Sequence, residues 1–380
     1  LKSANIFIKP NMNSNMNSLT GNTTDLRVVA AIITDLQRRG YKDITVGDGA
    51  NSGFYRTGIS VISRLSYDTL ARHFNVKVVD LNRCERVEIE FEKGVIAEAA
   101  KDVVAADLLI NVPKLKTHFM TGMTVCLKSL MGCMCGEINK KKVHKNLAKN
   151  ILNINKVIKP HLQIIDGLIA MEGVGPSKGT PIRMDVIIFG TDPYLLDLLC
   201  SKIAQFDYKR ISTLYYAEER RVLTKVHHDF VNKLDLTGIS KKFIEPNANK
   251  LASFVHHPKR QPYLLAIRDS APFAYICSTN AIGNLLYKSG IRQDNFMKED
   301  MEFKGFGFNK DLCRDGCTKC SDYCPVGLKL PDVLEQKDNG CIGCQYCFLV
   351  CPTKAIEFKG KLGFLSEQLK DYDKITRQIA

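Results

Sequence analysis

Over the first 200 residues, short β-branched and apolar runs alternate with amphipathic runs, the pattern of a parallel sheet covered by helices. Ile6 to Ile8 reads as the first strand. Thr23 and Thr24 can cap a helix from Asp25 to Arg39, which Gly40 stops. Ile44 to Val46 is the next strand, followed by the glycine-rich loop Gly47 to Gly53, a helix to about Phe74 and a strand at Val76 to Val79. Further strands are expected at Leu108 to Val112, Leu162 to Ile165 and Val186 to Phe189, with helices at Thr121 to Met131 and Tyr194 to Ala204. The pattern predicts an α/β fold, mainly a parallel sheet with flanking helices, and a small C-terminal α+β module is expected beside it.

Periodicity fades after residue 205, where a charged helix near Thr213 to His228 and a short apolar run at Tyr263 to Ile267 stand among irregular stretches. The division expected is an α/β domain over 1–304, of which 205–304 is the connector part, a cysteine-rich module over 305–358, and a tail over 359–380 that reads as a surface helix. The segment from Asp166 to Pro181 is rich in glycine and carries Asp166 and Glu172. It reads equally as a mobile lid or as a tight connector.

Two cysteine runs change the picture. Cys341, Cys344, Cys347 and Cys351 follow C-x2-C-x2-C-x3-C-P, the ligand run of bacterial ferredoxins, and Cys313, Cys317, Cys320 and Cys324 form a second run, also ending in Cys-Pro. In such pairs the cysteine before proline ligates the other cluster. Cys313, Cys317, Cys320 and Cys351 are therefore expected around one 4Fe-4S cubane, and Cys341, Cys344, Cys347 and Cys324 around the other. Arg314, Asp315 and Gly316 place one extra residue in the first run, which leaves a bulged loop, a labile cluster or a three-iron form open. Zinc and a disulfide framework are the competing readings. Zinc sites rarely repeat a four-cysteine run with prolines, and a lysine-rich chain with six further scattered cysteines does not look secreted.

The composition, 45% hydrophobic and 25% charged, is ordinary for a globular protein. Fourteen cysteines argue for a reducing compartment, with cytoplasm as the expected location. The longest apolar candidate, Val103 to Val112, is too short for a membrane span and contains Asp107. Residue 1 is Leu and an apolar strand begins almost at once, so further chain upstream is expected and a targeting signal there stays open. The formal charge is +14, and two oxidised cubanes with their thiolates, about two negative charges each, would leave roughly +10. The excess is densest at Lys140, Lys141, Lys142, Lys145 and Lys149, read first as a solvated helix face and second as an anion or partner site. No aromatic residues interleave with these lysines, so nucleic acid is not expected.

In open α/β sheets ligands bind beyond the C-terminal strand ends. The loops there carry Lys9 and Asn11, Asp48, and then Lys114, Lys116 and His118. Lys114 and Lys116 are two apart, so in an extended segment they point the same way and could clamp one anion, with His118 as a nearby titratable group. A divalent metal at Asp48, Asp166, Glu172 or Asp192 has no spacing rule behind it. Cys133 and Cys135 read first as small buried hydrophobes and second as redox-active or metal-binding, and Cys84, Cys126, Cys200 and Cys277 read as buried.

The segments IKPN (8–11), VGDGAN (46–51), INVPKLKTH (110–118), TGMTVCLKSLMG (121–132), IIDGLIAMEGVGPSKGTP (164–181) and GTDPYLLD (190–197) resemble the domain of unknown function 362 family, in its form fused to a C-terminal ferredoxin-type module. The resemblance implies one α/β domain and marks Lys9, Asn11, Asp48, Lys114, Lys116 and His118 for testing; it supplies no reaction. Two function classes follow. One is a redox enzyme whose two 4Fe-4S clusters exchange electrons with a small anionic substrate or cofactor at the strand ends. The other is an electron carrier or cluster-based sensor that docks on a redox partner protein.

Overall fold

The computed structural model describes residues 3–51, 59–92, 95–246, 270, 301–336 and 339–379. Its strands, in chain order, are β1 (Ile6–Pro10), β2 (Ile44–Asp48), β3 (Lys77–Asp80), β4 (Arg86–Glu92), β5 (Val95–Ala100), β6 (Leu108–Val112), β7 (Lys114–His118), β8 (Gly122–Thr124), β9 (Leu162–Val174), β10 (Lys178–Gly190), β11 (Glu302–Phe308) and β12 (Ile356–Lys361). The longer helices are α1 (Leu26–Arg38), α2 (Tyr67–Phe74), α3 (Gly136–His144), α4 (Leu147–Val157), α5 (Pro193–Ile203), α6 (Ser212–Glu219), α7 (Lys225–Asn232), α8 (Tyr346–Val350) and α9 (Leu369–Ile379).

Eight strands form one sheet in the order β3-β2-β1-β6-β9-β7-β8, with β10 antiparallel on β9. The pairs β3-β2, β2-β1, β1-β6, β6-β9 and β9-β7 are parallel, and β7-β8 is antiparallel. Strand order reverses at β1, whose neighbours are β2 on one side and β6 on the other. That crevice is where an open α/β sheet places a ligand. The sheet is buried on both faces: Phe7 and Leu109 enter one apolar layer, whereas Ile6, Ile8, Ile110 and Val112 enter the other. Asp25 caps α1 by accepting from the Arg27 N–H at 2.9 Å, and α1 buries Val29, Ile33 and Leu36 against the second layer.

Several elements differ from the sequence reading. Of the two readings of the segment from Asp166 to Pro181 the tight connector holds: the paired ends of β9 and β10 are joined by a turn at 175–177. Its glycines serve close packing: a Cβ on Gly175 would stand 2.1 Å from the Thr117 carbonyl oxygen. Lys114 to His118 is a strand, because its polar side chains find buried partners across the sheet. Thr121 to Met131 divides into β8 and a short helix, Cys126–Ser129. The hairpin β4-β5 was not anticipated. The helix near Thr213 to His228 is two, α6 and α7, parted by Arg221 in the left-handed region (φ 58°). The apolar run Tyr263 to Ile267 and Cys277 lie outside the described residues.

The tail helix α9 is a surface helix with one face packed inward. It buries Tyr372, Ile375 and Ile379 in the same apolar layer as α1 and α8. Tyr346 of α8 joins this layer to the start of α1, its hydroxyl accepting from the Leu26 N–H at 3.0 Å and contacting Ser18 Oγ at 2.5 Å. Tyr346→Phe leaves that buried N–H without an acceptor, so a loss of about 1–3 kcal/mol is expected. Urea unfolding of the anaerobic protein measures it, and an unchanged midpoint would show that the hydroxyl holds nothing.

Candidate functional site

The loops at the β1, β2 and β7 ends meet the Cys126–Ser129 helix and α3 around a cavity of about 280 Å³. Its floor is an ion pair. Lys9 Nζ lies 2.9 Å from Asp48 Oδ1, with both side chains buried, and also donates to Ser129 Oγ at 3.2 Å. Asp48 Oδ2 accepts from the Met12 N–H at 2.8 Å, which fixes the loop after β1. Gly132 permits this approach, since a Cβ there would sit 2.0 Å from Asp48 Oδ1.

Lys114 and Lys116 do not clamp one ligand. Lys114 pairs with Asp166 at 2.9 Å, both fully buried, and that carboxylate also accepts from the Asp25 and Leu168 N–H groups at 2.7 and 3.0 Å. The residue is part of the scaffold. Lys116 lines the cavity, donating to Asn11 Oδ1 at 3.2 Å and to the Asn22 carbonyl at 2.6 Å. Burial, reinforced by the Lys128 and Lys114 ammoniums, holds its pKa well below the usual lysine value.

Two further lysines face the cavity. Lys140 is buried, unlike the solvated helix face expected of it, and donates to the Gly49 and Ala50 carbonyls at 2.9 and 2.7 Å and to Asn82 Oδ1 at 2.6 Å. Its neighbour Lys141 is solvated as expected. Lys128 makes no hydrogen bond or ion pair among the described residues. Burial brings Lys128 and Lys140 each down to about 8. Thr124 Oγ1 and Asn13 Nδ2, also on the cavity wall, are buried polar atoms without a hydrogen-bond partner among the described residues. His118 lines the cavity and accepts the Met120 N–H on Nδ1 at 3.1 Å, so its neutral ring carries the proton on Nε2.

Of the residues marked from sequence, Asn11, Asp48, Lys116 and His118 converge on the cavity, Lys9 lies just behind it and Lys114 is elsewhere. Asn13, Thr124 and Lys128 were missed; Lys140, weighed from sequence as a solvated face first and an anion or partner site second, also lines the cavity, with His144 of the same segment. Lys128 had one readable signal, a lone lysine in the apolar run TVCLKSLMG. Asp197 was also missed. It is buried, accepts from the Cys126 and Leu127 N–H groups at 2.8 and 3.4 Å, and so anchors the turn that carries Lys128 and Ser129; burial raises it to about 7. The acids considered for a divalent metal do not gather: Asp166 is paired with Lys114, Asp192 with His227 at 3.1 Å, and Glu172 accepts from the Ile244 N–H at 2.8 Å.

In the C-terminal segment, Cys313, Cys317, Cys320 and Cys351 line one small cavity. Burial raises the Cys313 thiol and brings Cys320 up to about 11, and in both Cys317 and Cys351 add to the rise. Burial likewise raises Cys341, Cys344 and Cys347; Cys324 adds to the first two, and Cys344 and Cys341 to the third. The thirteen cysteines among the described residues are all free thiols. No three His, Cys, Asp or Glu side chains among the described residues stand close enough to hold a metal ion.

The chain is an α/β protein, an open and mainly parallel sheet with a cation-rich cavity at its strand ends. The chain belongs to the family described as "Domain of unknown function (DUF362)", whose model matches residues 6–202 and so covers the whole cavity wall. The thylakoid-associated protein sll1697 of Synechocystis sp. is 31% identical over 228 residues, which are 57% of this chain and 67% of that protein. A solved structure, the lactate racemase apoprotein from Thermoanaerobacterium thermosaccharolyticum, matches at 14% identity with a TM-score of 0.38, covering 54% of this chain and 49% of that one. The chain thus spans about half of that racemase, and the likeness is too slight to carry an argument. Among the described residues no helix is long and apolar enough to cross a membrane.

Lys128 tests the electrostatics. Its folded pKa lies below the unfolded one, so its burial costs stability while the group is charged, and the cost fades as pH rises through about 8. Lys128→Met is expected to stabilise the protein by about 1–2 kcal/mol at neutral pH, the full shift being discounted for water in the cavity. The gain should shrink above pH 8 in urea titrations; a gain equal at all pH values would mean that apolar packing, not charge, is responsible.

Proposed function

We propose that the chain is an iron-sulfur redox protein that exchanges electrons with a small anionic ligand held at the strand ends. The observation that carries the reading is the gathering of Cys313, Cys317 and Cys320 with Cys351 around one cavity, the crossed set that ferredoxin spacing requires. The donor set suits the group in kind: four free thiols line one cavity, although they do not stand at ligand distance of one another. Cys341, Cys344, Cys347 and Cys324 would hold the second cluster, so that residues 305–358 act as the ferredoxin-type module. Bound there, two 4Fe-4S clusters supply one-electron transfer at low potential.

The loop after β1 supports a link between the two regions. Asn11 and Asn13 line the strand-end cavity, and Asn17 of the same loop donates to the Cys344 carbonyl at 3.1 Å. Within the cavity, Lys116, Lys128 and Lys140 supply positive charge, Thr124 and Asn13 supply free polar groups, and His118 can carry a proton at Nε2. A phosphate or carboxylate group fits that chemistry. Free thiols in such number suit a reducing compartment, in keeping with a cytoplasmic location.

Anaerobically purified protein should carry about eight irons and eight sulfides, falling by about half in Cys320→Ser. Zinc in their place would end the iron-sulfur reading. Inorganic phosphate should raise the melting temperature at pH 7 and bind about tenfold more weakly at pH 9, where Lys128 and Lys140 have lost their protons. If neither phosphate nor small carboxylates stabilise an iron-loaded protein, the ligand reading falls and a carrier that meets a redox partner protein replaces it.

A further inference from the structure

Cys84 and Cys135 are 51 residues apart in sequence, yet their sulfurs stand 3.7 Å apart. We propose that they form a redox-active dithiol, oxidised to an intramolecular disulfide by exchange with a small disulfide such as oxidised glutathione. The reading is independent of the iron-sulfur proposal.

Each partner is positioned by its own backbone. Cys84 lies in the turn after β3, where the Leu81 N–H donates to the Asp48 carbonyl at 3.1 Å and the Arg83 N–H to the Asp80 carbonyl at 2.9 Å. Cys135 immediately precedes α3; its N–H donates to the Glu98 carbonyl at 3.0 Å, and its carbonyl accepts from Asn139 Nδ2 at 2.8 Å. The two sulfurs are therefore held side by side rather than meeting through flexible chain. Closing to the disulfide length of roughly 2.05 Å asks for a shift of under two ångströms.

The two thiols differ in access and in acidity. Cys84 is half-buried and Cys135 is 1% exposed, so an incoming disulfide meets Cys84 first. The hydrogen bond from Cys135 lowers the Cys84 thiol, which favours its thiolate, and the same contact raises Cys135. The other thiols of this domain among the described residues, Cys126, Cys133 and Cys200, are fully buried.

The exchange balances in two displacements. The Cys84 thiolate attacks one sulfur of the small disulfide, breaking its S–S bond and releasing one thiolate. Cys135 then gives its proton to water, and its sulfur attacks the Cys84 sulfur of the mixed disulfide, forming the Cys84–Cys135 bond and releasing the second thiolate. The protein pair loses two electrons and two protons, and the small disulfide takes up both as two thiols.

The test treats anaerobic, iron-loaded protein with oxidised glutathione, quenches it in acid, alkylates the remaining thiols and maps peptides by mass spectrometry without reduction. The expected product is a Cys84–Cys135 linked peptide, lighter than its two parts by two hydrogens, formed with iron content unchanged and reversed by dithiothreitol. In Cys135→Ser the product should stop at a glutathione adduct on Cys84. The proposal is overturned if wild type ends at that adduct, links Cys84 to Cys133, leaves both thiols open to alkylation, or shows the linkage only as iron is lost. The wild-type map decides the matter even if the variant does not fold.

Discussion

The ion pair between Lys9 and Asp48 is the contact on which the strand-end region depends. It joins the ends of β1 and β2, and through Asp48 it also fixes the backbone of the loop that carries Asn11 and Asn13. A buried pair of this kind gains little net stability over an apolar one, but losing one partner leaves an unpaired charge in the interior. The surrounding residues meet that constraint. Ser129 accepts from the ammonium and itself donates to Asn111, whose amide binds Gln163, so one polar chain ties β1 to the turn after β8 and to β9.

The Lys114–Asp166 pair repeats the arrangement on the far side of β6, joining β7 to β9 and, through Asp25, to the start of α1. Once both carboxylates are held in this way, no acid is left to neutralise Lys116 or Lys128. Lys116 and Lys140 both rest on neutral oxygens, with only the more distant pull of Asp48 on each and of Asp80 on Lys140. The cavity is thus cationic by arrangement, because its acids are committed to the frame. An anion placed there would offset a desolvation cost that the fold already bears.

The cysteine-rich segment is tied to this frame rather than merely appended to it. Tyr346 sits between Cys344 and Cys347 in sequence and closes the first turn of α1, while Thr69 of α2 donates to the Ile342 carbonyl at 2.7 Å. Burial of α9 on the same layer adds apolar area to the join. Asn17, which donates to the Cys344 carbonyl, lies on the same loop after β1 as Asn11 and Asn13 of the cavity wall.

The alternation of apolar runs was enough to predict the parallel α/β sheet, because strand and helix periods are local and each buried face must repeat along its own element. Cysteine spacing likewise predicts a ligand set, since short spacers limit where thiols can meet. Loops read by composition fared worse: the glycines at Gly167, Gly175 and Gly179 left a mobile lid open and proved to be positions of close packing, whereas Gly173 takes a positive φ. The candidate site was legible where strand ends announced it, at Asn11, Asp48, Lys116 and His118. Which lysines face one another was settled by tertiary structure alone. Lys9 and Lys114 look no different from Lys116 along the chain, and only the placement of Asp48 and Asp166 pairs the first two; Lys140 looked solvated until α3 folded over the β2 loop. The nearness of Cys84 to Cys135 has the same origin, a meeting of distant segments that no local pattern encodes.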